Sequence, residues 1–324
     1  MFNKFVAGLA LVTATSVMAQ EIDKSDWPSS IVIGTGSPGA TYAIYGQGLA
    51  SIISNHVGVP TSTQQTQGPY QNVTLAQNGR IDIALTTMGP AYEAWVGESD
   101  LAPGVQHNRL RAIAPMYISP FQMAALADSG MNELSDLEGK RVGLGPAGGS
   151  GAYWTRWFDK LGISVNASFG PFGDQMSQLS DRRLDAVGAA PGIPAAAYTE
   201  LETMEPAHFF AFPAAAIETL SEEYPYLQPV VIPAETYRSL DGPVNTLGMW
   251  NFVLTHEDLP ESLAYEITKA IFAYHDDLVA SHGSARETLA ENVVHNRFLP
   301  LHPGAERYYI EEGIELSPNE SGVN

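Results

Sequence analysis

The chain of 324 residues contains no cysteine. Disulfide staples, thiolate metal sites and a cysteine nucleophile are excluded at once. Basic residues are scarce: 16 lysines and arginines stand against 36 aspartates and glutamates, a net charge of −20. So acidic a balance argues against nucleic acid and against anionic membrane surfaces as partners. It does not set the charge of a small ligand, because a cleft makes its own local field. Long apolar runs are also missing, apart from one near the start. The opening "MFNKFVAGLALVTATSVMAQE" has Lys4, an apolar stretch from Phe5 to Val17 and the triplet Val17-Met18-Ala19. That is the layout of a secretory signal, with cleavage expected after Ala19. The stretch is shorter than the roughly 20 apolar residues of a membrane span, and no cysteine near the cleavage point offers a lipid attachment site. The expectation is an exported, periplasmic protein long enough for two lobes of ordinary domain size.

Another absence decides how the first motif is read. "GTGSPGAT" at residues 34–41 follows the apolar run "IVI" and fits the pattern G-x-G-x-x-G. A dinucleotide site needs an acidic residue about 20 positions later to hold the ribose. No Asp or Glu occurs from Ala40 to Ile81, and the one charged side chain there is Arg80. The nucleotide reading therefore fails on its own requirement, and no cofactor is expected. What remains is a glycine loop at the start of a helix. From Thr41 to Asn55, Tyr45, Leu49, Ile52 and Ile53 recur at helical spacing and make one buried face. The loop presents free N–H groups at the positive end of that helix, a geometry suited to anions. A tight capped turn with no ligand reads equally well from this loop alone.

The plan then repeats. In "KRVGLGPAGGSGAYWTRWFDKLGI", Arg141 to Leu144 reads as a strand and "GPAGGSG" as a glycine loop. Ser150 to Leu161 reads as a helix stopped by Gly162, with Trp154, Trp157, Phe158 and Leu161 as its buried face. The Gly-Lys-Ser/Thr of a nucleotide P-loop is absent. Each loop is followed by a polar segment, "STQQTQGPYQ" or "SFGPFGDQ", then a short helix and a further strand, "GRIDIALTT" in one case and "RRLDAVGAAPG" in the other. Such alternation predicts two α/β lobes with parallel strands and helical crossovers. Ligands of open α/β sheets lie outside the carboxyl ends of the strands. Facing lobes would set two helix N-termini across one cleft.

Catalytic patterns are lacking. "GGSGA" puts Ser150 out of frame for a nucleophile elbow, there is no His-Glu-x-x-His, and the eight histidines are scattered. No metal site and no enzymatic activity are expected; a periplasmic hydrolase assembled only in three dimensions is the enzymatic alternative.

In order along the chain, "IGTGSPGATYAIYG", "QGPYQNVTLAQNGRIDIAL", "RAIAPMYISPF", "LEGKRVGLGPAGGSG", "LDAVGAAPGIP", "IPAETY", "LPESLAYEITKAIF" and "LHPGAERYYIEEGI" resemble the TAXI class of solute-binding proteins of TRAP transporters. The resemblance runs from about Ile31 to Gly313. It implies a monomeric periplasmic binding protein of the two-lobed, type II-like α/β fold, each lobe a mixed sheet flanked by helices. It implies delivery of a small organic anion, such as an amino acid or dicarboxylate, to membrane permease subunits. Input to a periplasmic sensor kinase is the alternative output. The implied division is a signal peptide at 1–19, a first lobe at 27–116 plus 232–324 and a second at 117–231.

The implied ligand positions are Gly36, Ser37, Thr41 and Tyr42 in the first loop and Gly149, Ser150 and Gly151 in the second. Asn72, Thr87, Pro191 and Gly192 complete the mapped set. The family's polar run after "DIAL" is here Thr87-Met88-Gly89, and Ala152 stands where the second loop usually has a threonine. A buried polar ligand group without a partner costs about 1–3 kcal/mol, so the ligand is expected to be less polar at one end than glutamate. Met88, Tyr92 and Tyr153 join the candidates on that ground, with Tyr70 and Trp95 as further aromatics near the loops. Arg111, Arg141 and Arg156 are the candidate partners for a ligand carboxylate.

Overall fold

The computed structural model describes residues 23–38 and 40–316; the expected signal and its cleavage point at Ala19 lie outside the described residues. The first lobe opens with β1 (Ile31–Gly34), α1 (Thr41–Ile52), β2 (Thr61–Gln64), α2 (Pro69–Gln77), β3 (Ile83–Thr87) and α3 (Met88–Val96). A long strand, β4 (Leu110–Pro120), leads across to β5 (Gln122–Leu126). The second lobe continues with β6 (Arg141–Gly143), α4 (Ser150–Leu161), β7 (Asn166–Ser168), α5 (Phe172–Ser180), β8 (Ala186–Ala189), α6 (Ala196–Met204) and β9 (Ala207–Phe209). The chain returns through α7 (Ala214–Glu223), β10 (Gln228–Ile232) and the long β11 (Val244–His256). It ends with α8 (Glu261–Ala273), α9 (His275–Ser281) and α10 (Pro303–Glu311).

The repeat read in the sequence is the repeat in the fold. In the first sheet β1 pairs in parallel with β2 and β3, and β11 adds antiparallel to β3. In the second, β6 pairs in parallel with β7 and β8, and β5 adds antiparallel to β8. The antiparallel strand in both cases adds beside the third parallel strand of the repeat, β3 or β8. β4 and β11 run side by side from Leu110↔His256 to Pro120↔Gly248, making a two-strand connection. By sheet membership the first crossing is at Phe121, between β4 and β5. The second lies between β9 and β10, which already pairs with β11 in the first sheet. The expected lobe limits at 116/117 and 231/232 fall inside β4 and β10.

Local physics accounts for the helix limits. α1 buries Tyr45, Leu49 and Ile52, and its wider last turn buries Ile53. Fully burying an aliphatic side chain contributes about 1.5–3 kcal/mol, enough to dock the helix on the sheet without help from a capping side chain. α4 occupies Ser150–Leu161 as its pattern predicts and stops at Gly162, whose φ of 69° is left-handed. Trp154, Trp157 and Phe158 are buried, while Leu161 is only partly so. The C-terminal helices pack behind the first lobe, where Leu263, Ile267, Ile271 and Leu278 share a core with Ile31, Ile33 and Tyr45. No helix among the described residues is long and apolar enough to cross a membrane.

Five histidines carry a pH signature. Burial holds His107, His256, His282, His295 and His302 below the ordinary histidine pKa. The unfolded chain takes up protons near pH 6.5, the folded chain only below that. Stability is thus fully present above the unfolded value and is lost as pH falls through the folded ones. Melting temperature should decline from about pH 7 to about pH 5, the window in which ordinary histidines charge. The His302 Nδ1 accepts from the Gly304 N–H at the start of α10. His302→Asn keeps a capping acceptor and should make the decline shallower; an unchanged slope in calorimetry would show that His302 does not contribute.

Candidate functional site

The two glycine loops end at one cavity of about 90 Å³ between the lobes. From the first lobe come Gly36, Ser37, Ala40, Thr41 and Tyr42, then Gln67, Gly68 and Pro69 ahead of α2, and Thr87 at the end of β3. The second lobe supplies Pro146, Gly149, Ser150 and Tyr153, Phe172 at the start of α5, and Ala189, Ala190 and Pro191 after β8. Tyr117 of β4 completes the wall. Every contributing segment lies at or beyond the carboxyl end of a parallel strand, or in the connection between lobes, as the topology requires.

Both α1 and α4 therefore begin at the cavity. The first amides of a helix have no intrahelical partner. The Ala43 N–H turns back to Ala40, and the Gly151 and Ala152 N–H groups to Pro146 and Gly149. The amides of Thr41, Tyr42 and Ser150 stand at the leading turns. Hydroxyls surround them. Ser37 is only 7% exposed, and its Oγ has no hydrogen bond to any described residue. The Thr87 hydroxyl and the Tyr153 phenol bond to each other across the lobes at 2.7 Å. Burial keeps the phenols of Tyr42, Tyr117 and Tyr153 well above the ordinary tyrosine pKa, so they remain neutral.

The lobes touch around this cavity. The Tyr70 N–H donates to the Gly148 carbonyl at 3.2 Å, and the Gly192 N–H to Thr41 Oγ1 at 3.1 Å. Two glycines matter here. Gly68 has φ of 110°, a backbone conformation that favours glycine. A Cβ on Gly192 would collide with Ser284 Oγ. Beside the cavity an ion pair also spans the lobes: Arg156 of α4 donates to the 3%-exposed Glu93 of α3 at 2.9 Å. Burial works against the charge on Arg156, but Tyr70 and Glu93 outweigh it and raise its pKa.

Among the implied positions, Gly36, Ser37, Thr41, Tyr42, Thr87, Gly149, Ser150, Tyr153 and Pro191 line the cavity. The others stand elsewhere. Asn72 is fully buried behind the first loop and donates to the carbonyls of Gly34, Thr35 and Leu85. Met88 lines a different cavity, together with Tyr226 and Trp250. Tyr92 packs on Tyr226 and Phe298. Gly151 sits against Phe169 and the Pro146 carbonyl, and Gly192 against Ser284 and Tyr117. Trp95 lies in the core, and the Tyr70 hydroxyl is committed to Glu93. Arg111 pairs with Glu257, and Arg141, at the amino end of β6, pairs with Asp185. None of the three candidate arginines reaches the cavity lining. Tyr117 and Phe172 are lining residues outside the implied set. They lie in "RAIAPMYISPF" and "SFGPFGDQ", but nothing in either stretch marks a cleft wall.

A model of the NMT1-like family matches residues 33–313. The chain belongs to the NMT1-like family. Among solved structures, this NMT1-like chain is similar to MatC from Rhodopseudomonas palustris with bound malate, at 12% identity and a TM-score of 0.55. That match covers 79% of this chain and 88% of the other. It is also similar to Rpa4515 of R. palustris with adipate, at 15% identity and a TM-score of 0.53, over 77% of this chain and 84% of that one. Identities this low speak for the fold, and the fold they share is the two-lobed one with a mixed sheet in each lobe.

Proposed function

We propose that this NMT1-like protein is the periplasmic solute-binding component of a TRAP-type transporter of the TAXI class. It takes a small organic anion, a carboxylate with an apolar part, between its lobes and passes it to membrane permease subunits. The observation that carries this is the pairing of two helix N-termini, one from each lobe, on one cavity. A bound anion would meet leading amides from both sides, so binding and lobe closure reinforce each other. The complexes of MatC with malate and of Rpa4515 with adipate support an organic acid as the solute, and the ordered series of sequence landmarks supports the TAXI assignment. Chemistry on the solute has no visible agent: the Ser150 hydroxyl donates to the Leu144 carbonyl, and no histidine or carboxylate is among the described lining residues to activate it. On this reading the line of export runs through the signal at 1–19, and the chain works as a monomer.

Ser37→Asp tests the site with two readouts. A carboxylate in the loop leading into α1 occupies the anion's place. Affinity for organic anions should fall at least about a hundredfold, roughly 2.7 kcal/mol. The unliganded variant should melt below the parent, because the new carboxylate is held in a largely buried position with no cationic partner in the lining. Undiminished anion binding by the variant would refute the assignment.

A further inference from the structure

We infer that the solute carries no ammonium group: it is a carboxylate such as a 2-oxo, 2-hydroxy or unsubstituted acid, and not an amino acid. This rests on the solute-binding reading above and narrows it. No Asp, Glu, His, Lys or Arg is among the described residues lining the cavity, and the undescribed Gly39 of the first loop adds no charge. The field in the cavity therefore comes from backbone dipoles and hydroxyls. The helix ends there, of α1 and α4 and also of α2 at Pro69 and α5 at Phe172, are all N-termini, which favour negative charge and oppose positive charge. An ammonium group would enter a partly closed site with positive dipole ends and no carboxylate to pair with. Burying a charge without a partner is strongly unfavourable.

Glu287, near Tyr117, is outside the lining and accepts from the Ile118 N–H at 2.7 Å, and Glu93 cannot serve. Glu93 is not among the lining residues, and its two oxygens are already used. Oε1 accepts from Arg156 at 2.9 Å and from the Tyr226 hydroxyl at 2.6 Å, and Oε2 from the Tyr70 hydroxyl at 2.7 Å. Ser37, a residue more than nine-tenths buried, lines the same cavity, and its unbonded hydroxyl offers a hydrogen bond to an anionic oxygen. The rest of the wall includes Tyr117, Phe172, Pro69, Pro191, Ala189 and Ala190, with Gln67 and Thr87 as its neutral polar groups. That surface accepts a hydrocarbon body and offers a cation no carboxylate.

The test is a set of matched pairs that differ only at C2: 4-methyl-2-oxopentanoate against leucine, and 2-oxoglutarate against glutamate, titrated calorimetrically at pH 7. The oxo acid should bind at least about a hundredfold more tightly than its amino acid in any pair that binds. Ala190→Asp supplies the missing carboxylate and should shrink that ratio at least about tenfold. An amino acid that binds as tightly as its oxo acid overturns this inference and leaves the solute-binding reading in place. If no carboxylate binds the parent, the inference fails. Native mass spectrometry of freshly purified protein then separates the two claims: a copurified small molecule keeps the solute-binding reading, and its absence removes both.

Discussion

Replacing Arg156 by alanine should destabilise the closed protein by about 3 kcal/mol, the lower end of the range for breaking a buried ion pair. The cost comes mainly from the partner left behind. Glu93 is 3% exposed and would keep only the Tyr70 and Tyr226 hydroxyls. The lower end applies because those two phenols remain and because the Arg156 side chain is itself 27% exposed. Arg156 belongs to α4 of the second lobe and Glu93 to α3 of the first, so opening the lobes is the cheapest way to hydrate the stranded carboxylate. The variant should therefore show an increased radius of gyration as well as a lower melting temperature. Since closure is part of binding, its affinity for anions should fall at least about tenfold, one step of 1.4 kcal/mol. Pairing Arg156→Met with Glu93→Gln should restore much of the stability. No buried charge then remains, and the amide oxygen of the introduced glutamine still accepts from a phenol. A scattering profile and melting temperature equal to those of the parent would show that the pair does not hold the lobes together.

Asn72→Ala should cost a further kind of stability, about 3 kcal/mol, without any ligand present. The Asn72 amide is fully buried and donates to Gly34 at 3.1 Å, Thr35 at 2.6 Å and Leu85 at 2.7 Å. Its oxygen accepts from the Thr66 hydroxyl at 2.7 Å. Each buried polar group left unsatisfied costs about 1–3 kcal/mol; the Thr66 hydroxyl and the Thr35 carbonyl keep each other as partners, so the loss falls on the Gly34 and Leu85 carbonyls. The bonds tie the carboxyl ends of β1 and β3 together just where the first glycine loop leaves. Asn72→Asp should be worse than alanine, since a carboxylate would face three carbonyls with nothing to donate. Urea denaturation of the unliganded variants checks this. A variant with parental stability but no anion binding would instead make Asn72 a direct ligand contact.

These two cases show where sequence reading stops. The repeat was legible because its signals are local. Each glycine loop lies between an apolar run and a helical apolar stripe, and hydrophobic periodicity operates over a few residues. The two loops were legible for the same reason, while the family resemblance singled out Gly36, Ser37, Thr41, Gly149 and Ser150 within them. Asn72 was implied as a ligand residue by the family resemblance alone. Whether such a side chain faces solute or carbonyl depends on the direction of α2 relative to β1 and β3, which the segment does not encode locally. Met88 and Tyr92 failed for a related reason. Position 87 ends β3, and α3 begins at the next residue, so the chain turns and carries both side chains toward the β10 and β11 edge.

The arginines make the same point in charge. Composition showed that lysines and arginines were few, but not that Arg111, Arg141 and Arg156 each had an acidic partner. Those partners are Glu257, Asp185 and Glu93, which lie 146, 44 and 63 residues away. Sequence by itself determined that this chain builds two α/β lobes, lacks thiol chemistry and presents two glycine loops at helix starts. Only the tertiary structure decided that both loops share one cavity, that its described lining is uncharged, and that a buried ion pair bridges the lobes beside it. The division follows from range: strand, turn and helix signals act between near neighbours, whereas a cleft is made by residues that only the packing of two separate sheets brings together.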